Sequence, residues 1–233
     1  RQLQLADGSF AWWPGMRGSF YVTVAVTEML QRLNMMLGEQ TSTKKLLTNS
    51  MKFMAGEVSK HVEVLKHLEA KKYDNLLPSE ADMQYLYICA MRKEGLNHPD
   101  NKYLLGLVEK CPALFTIYGK AMMSVILARN GNEKLAKEHL ESLKQYMVYT
   151  DEMGCYFDTK SASYSWFDYR IPTEVAAIEA IKMVTPEDKK IVSEMQRWLL
   201  QSKRTQSWDT PINAVNAIYA FMQGQTKESL TNY

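Results

Sequence analysis

The stretch LTNSMKFMAGEVSKHVEVLKHL, Leu47 to Leu68, decides how this chain is built. Leu47, Met51, Met54, Val58, Val62, Leu65 and Leu68 recur at steps of three or four, with Lys, Glu and His between them. One stripe of a 3.6-residue spiral is therefore apolar and the rest is wet, and the spacing predicts one long amphipathic helix. The same rhythm returns in Met83 to Met91, Tyr103 to Val108, Ile117 to Ala128, Leu135 to Met147, Val175 to Met183, Ile191 to Leu200 and Ile212 to Phe221. Nearly every apolar run is helical.

Start and stop signals fall at the ends of these runs. Ser79 precedes Glu80-Ala81-Asp82, and Thr185-Pro186 and Thr210-Pro211 each place a capping hydroxyl before a proline suited to a first helical turn. Asn130-Gly131 closes one helix before Asn132 opens the next, and Gly38, Gly95 and Gly224 follow apolar segments. Short connections between such helices imply antiparallel neighbours, the sequence form of stacked helix pairs. Strand-like composition is confined to Met153 to Tyr169, where aromatics flank Asp158-Thr159-Lys160-Ser161 and predict one small β-hairpin. No linker divides the chain, so residues 1–233 are read as a single domain.

Composition narrows the function classes. The 233 residues are 46% hydrophobic, enough for a core that needs neither disulfide nor metal. The 28 basic and 26 acidic residues alternate along the chain, and Lys44-Lys45, Lys71-Lys72 and Lys189-Lys190 are isolated pairs with no basic stripe for nucleic acid. No apolar run reaches the length of a membrane span; the longest candidate is Ala121 to Ala128. Cys89, Cys111 and Cys155 are odd in number and lack metal spacing, and Cys89 falls on an apolar helix face as a core residue. The chain begins at Arg1 with neither Met nor a basic-then-apolar leader, which points to a segment of a longer polypeptide.

Three places share a layout in which an aromatic, turn-rich loop precedes a helix opening with small and β-branched residues. They read DGSFAWWPGMRGSFYVTVAVTEML (Asp7 to Leu30), YSWFDYRIPTEVAAIEAI (Tyr164 to Ile181) and QSWDTPINAVNAIYAF (Gln206 to Phe221). Thr173-x-Val175-x-Ala177-Ile178-x-Ala180-Ile181 aligns without a gap on Thr210-x-Ile212-x-Ala214-Val215-x-Ala217-Ile218, which is the mark of an internal repeat. Small residues at this spacing make a narrow, close-packing helix face. The tryptophans of these loops, Trp13, Trp166 and Trp208 among them, either plug gaps between helix ends or form a binding surface. If the loops gather at one end, that surface comprises Asp7, Trp12, Trp13, Trp166, Asp168, Trp208 and Asp209.

DGSFAWWPG followed by YVTVAVTEMLQRL, and RWLLQSKRTQSWDTPINAVNAIYAF near the end, resemble the bacterial α-2-macroglobulin family, in its helical thioester-type domain. The resemblance implies an all-α fold, an α/α toroid of about six antiparallel helical hairpins around a common axis, here with one small β-hairpin. A similar aromatic loop before a helix also occurs in terpenoid cyclases, so these motifs specify the toroid better than the chemistry. Thr41 to Tyr149 matches only in helix rhythm. Family members with the reactive bond carry Cys-x-Glu-Gln upstream of the DGSF-like segment. This chain has no such motif: its one Glu-Gln, Glu39-Gln40, follows the aromatic loop and has Leu37 where the sulfur must be, so no thioester forms there. What the resemblance implies is an interaction and scaffold domain of a periplasmic or cell-envelope protease inhibitor. Its partners would be other domains of the same polypeptide and, through the whole protein, target proteases.

No complete active site emerges from the residues, and none is assigned a catalytic, cofactor-binding or metal-binding role. Asp7, Asp168 and Asp209 could serve a carbohydrate-active toroid as paired carboxylates near sugar-stacking aromatics. Equally, Asp209 is a helix-start charge and Asp7-Gly8 a turn. A purely structural helical repeat is the other alternative. His61, His67, His98 and His139 read as surface or helix-edge residues, and no nucleophile elbow marks a reactive serine.

Overall fold

The computed structural model describes residues 4–38, 41–110, 115–157, 170–205 and 211–222. The chain is all-α with one small antiparallel β-hairpin, and it divides into two compact units, residues 1–115 and 116–233.

The first unit opens with an extended segment in which Phe10 bridges both Gln4 and Ser19. It leads into α1 (Phe20–Leu37), α2 (Thr41–Ala70), α3 (Glu80–Arg92) and α4 (Pro99–Lys110). Ser19 caps α1 by accepting from the Val22 N–H, and the left-handed Gly38 ends it. Ser79 and Asp82 form a reciprocal capping box at the start of α3, as Ser79-Glu80-Ala81-Asp82 foretold. In α2 the deciding stripe faces inward at Leu47, Met54, Val58 and Val62, all 1% exposed or less. There α2 meets α1 and α4, while α1 also packs on α3. α3 buries most of its circumference, including Leu86, Tyr87, Ile88 and Cys89, which explains why its apolar positions crowd without a polar face.

The second unit contains α5 (Ile117–Arg129), α6 (Glu133–Lys144), β1 (Met147–Thr150), β2 (Gly154–Phe157), α7 (Arg170–Val184), α8 (Lys189–Thr205) and α9 (Pro211–Met222). Asn132 caps α6 just after α5 ends at Asn130, so a single residue, Gly131, separates the two caps in a tight turn. α5 and α7, buried from Ile117 to Leu127 and from Thr173 to Ile181, pack on each other, and α6 and α9 pack on α7. The alanine-rich face Ala176, Ala177 and Ala180 is fully buried, as a close-packing face requires.

Two boundaries differ from the sequence reading. The hairpin pairs Met147 with Phe157 and Thr150 with Gly154, turning at Asp151–Met153; the turn expected at Asp158–Ser161 lies outside the described residues. Met147 therefore begins a strand and does not end α6; the β-branched and aromatic run Val148-Tyr149-Thr150 overrides the helical spacing. Gly154 makes this possible: its φ is +85°, and a Cβ there would stand 2.4 Å from the Glu194 carbonyl oxygen of α8. Arg197 holds the turn through the Asp151 carbonyl, and Tyr156 stacks on Trp198 at 6.0 Å. Likewise Thr185-Pro186 forms a turn, closed by the Asp188 N–H donating to the Thr185 carbonyl, and α8 starts only at Lys189.

Candidate functional site

The aromatic loop of the first unit is tied down at both ends. Asp7 Oδ1 accepts from the Ser9 N–H at 2.9 Å and from Ser9 Oγ at 2.6 Å, an Asx turn that holds the Asp7 carboxyl below its ordinary range. Such a carboxylate serves the turn and is a poor proton donor, which weakens a catalytic role for Asp7. Phe10, 7% exposed, donates its N–H to Thr23 Oγ1 on α1 at 2.8 Å and accepts from the Ser19 N–H at 2.8 Å. Gln4 Nε2 reaches the Leu46 carbonyl of α2 at 2.9 Å.

Gly8 completes the anchorage. Its φ is +90°, and a Cβ would lie 2.3 Å from the Asn49 carbonyl oxygen, a backbone atom that cannot swing aside. Gly8→Ala is expected to cost about 1 to 3 kcal/mol from backbone strain and forced separation of loop and helix, read as a fall in the urea midpoint. A change within about 0.5 kcal/mol, the range of an ordinary surface substitution, contradicts this close approach.

Between these anchors the chain turns outward. The Met16 N–H donates to the Trp13 carbonyl, and Trp12, Trp13 and Met16 are 53%, 71% and 49% exposed, with Tyr21 of α1 at 64%. Trp13 therefore does not plug a gap between helix ends; Phe10 does the packing and Ser19 the capping. The structure brings Trp12 and Trp13 onto one short loop with Asp7 at its base. Trp166, Asp168, Trp208 and Asp209 lie outside the described residues.

A histidine–carboxylate pair stands at the foot of the same loop. His61 Nδ1 of α2 lies 2.7 Å from Oδ1 of Asp82, whose Oδ2 accepts from the Ser79 N–H at 3.0 Å and Ser79 Oγ at 2.6 Å. Asp82 is 2% exposed and its carboxylate offers only acceptors, so the hydrogen in this contact sits on Nδ1. Phe20, the first residue of α1, meets the half-buried imidazole edge-on at 5.2 Å. The ring is thereby fixed in orientation by the carboxylate on one side and the Phe20 ring on the other. Half-buried His61 fits the helix-edge position expected of it, and the Ser79-x-x-Asp82 capping box is visible in the sequence, but nothing in one sequence joins that box to a histidine on the preceding helix. His67 is exposed and His98 largely so, whereas His139 is buried at 3% exposure.

The chain matches no family model and no curated protein. Among the described residues no group of three or more His, Cys, Asp or Glu is placed to hold a metal ion, and no helix is long and apolar enough to cross a membrane. Cys89 and Cys155 are free and buried, and burial pushes both thiols up to about 11, away from the thiolate form that reacts.

Proposed function

We propose that this chain is an interaction and scaffold domain of a bacterial α-2-macroglobulin-like protein of the cell envelope, without a thioester of its own and without catalysis of its own. The observation that carries the reading is the DGSFAWWPG segment itself, folded as an anchored loop that turns Trp12 and Trp13 outward ahead of α1. Exposed tryptophans on a fixed loop provide large contact area at little entropic cost, the property of interface anchors. The occupant of that loop is another domain of the same polypeptide. Through such docking, cleavage elsewhere in the whole protein becomes a change of conformation that captures the attacking protease.

Tryptophan emission tests the docking step. Titration of the chain with the neighbouring domains of its own polypeptide is expected to give a saturable blue shift, and Trp12→Ala/Trp13→Ala to weaken binding by roughly thirtyfold or more, the scale of one interface hot spot. Saturable binding left unchanged by the double substitution places the contact elsewhere, and absence of binding removes the docking reading.

A further inference from the structure

Between α5 and α6 lies a polar cluster that the aromatic loop does not involve. Lys120 of α5 is 7% exposed, and its Nζ stands 3.0 Å from Oγ of the half-buried Ser142 on α6. Among the described residues no carboxylate forms an ion pair with this amine; its hydrogen-bond partner is the serine. His139, one turn before Ser142, is 3% exposed, and burial together with the Lys120 charge pushes it down to about 4.

A buried ammonium without a counter-charge is costly, and the usual relief is loss of the proton. Burial holds the Lys120 amine below its ordinary value. As an ammonium Lys120 donates to Ser142 Oγ; as an amine, at the same separation, its lone pair accepts the Oγ–H. His139 alongside, pushed down to about 4, is too weakly basic to take over the role of base. Lysine beneath and serine towards solvent is the layout of a hydroxyl activated by an adjacent base.

We propose that Ser142 and Lys120 form an acyl-accepting pair, Ser142 Oγ being the nucleophile and Lys120 Nζ its base, toward activated esters of small carboxylic acids. Oγ attacks the carbonyl carbon while its proton passes to Nζ and the carbonyl π pair moves onto oxygen. Collapse re-forms the carbonyl and expels the ester's alkoxide or phenoxide, which takes the proton from Nζ. An ester on Ser142 and a free alcohol or phenol result, with no other reactant. This site is independent of the docking loop, and its acylation is a single stoichiometric transfer without turnover, so the reading built on that loop stands or falls separately.

The test is p-nitrophenyl acetate with the full 233-residue chain in mildly alkaline buffer, followed by tandem mass spectrometry of the peptides. Acetyl is expected on Ser142 in preference to the other serines. Lys120→Arg keeps length and charge but cannot surrender its proton, so Ser142 labelling should fall at least about tenfold while exposed lysines react as before. Lys120→Met, which removes the base without burying a charge, should do the same, with circular dichroism reporting that either variant folds. An unmodified Ser142 beside acetylated surface lysines overturns the proposal, as does equal Ser142 labelling in a folded variant.

Discussion

Arg32→Ala is expected to cost about 3 to 5 kcal/mol, the usual penalty for removing one partner of a buried ion pair. Arg32 is fully buried on α1, its Nη1 2.7 Å from Glu28 Oε1 one turn earlier. Its Nη2 donates to the Tyr87 hydroxyl of α3 at 3.2 Å, and the guanidinium lies over the same ring at 5.5 Å. Truncation therefore removes the cation facing the 4%-exposed Glu28 carboxylate and opens the α1–α3 contact at once. Replacing both partners, as in Glu28→Gln/Arg32→Met, should recover much of the loss because no uncompensated charge remains. Urea unfolding followed by far-ultraviolet circular dichroism reads both. A loss below about 1 kcal/mol for Arg32→Ala would mean that the pair behaves as an exposed one.

Acid should destabilise the second unit through His139. Its folded value of about 4 lies under the ordinary 6.5, because the imidazole is buried and faces Lys120. The folded state binds fewer protons than the unfolded one, so this contribution is fully present above 6.5 and is lost as pH falls towards about 4. Complete loss amounts to about 3 kcal/mol. His139→Gln, a neutral side chain of similar reach, should flatten the stability profile across that window while leaving the carboxylate titrations in place. An unchanged slope in the variant would show that His139 binds its proton equally well folded and unfolded.

Helix identity was legible in the sequence because it rests on spacing: Leu47 to Leu68, Ile117 to Ala128 and Ile212 to Phe221 all lie within helices of the structure. Caps were legible where one residue type meets one backbone need, as at Ser79, Asn132 and Gly38. The strand at Met147 was not legible because the hairpin it joins depends on a tertiary contact, Gly154 against the Glu194 carbonyl, that no local pattern records. The division near residue 115 was likewise silent, since no Gly- or Ser-rich linker marks it. At the candidate site, the Asp7 turn was readable and the exposure of Trp13 was not, because a tryptophan's spacing from a helix start says nothing of which way the loop turns. His61–Asp82 and Lys120–Ser142 each join residues 21 or 22 positions apart across two helices. Pairs of that kind are created by packing and leave no motif.

On the proposed reading the anchored tryptophan loop serves a polypeptide that engages proteases, so a protease challenge of that polypeptide is the deciding measurement. The cleaving protease is expected to co-elute with it, still cutting small peptides while failing on protein-sized substrates, and to escape when Trp12 and Trp13 are both alanine. Full release of an unhindered protease from the wild-type polypeptide, which is itself reduced to fragments, contradicts an interaction domain of the α-2-macroglobulin kind.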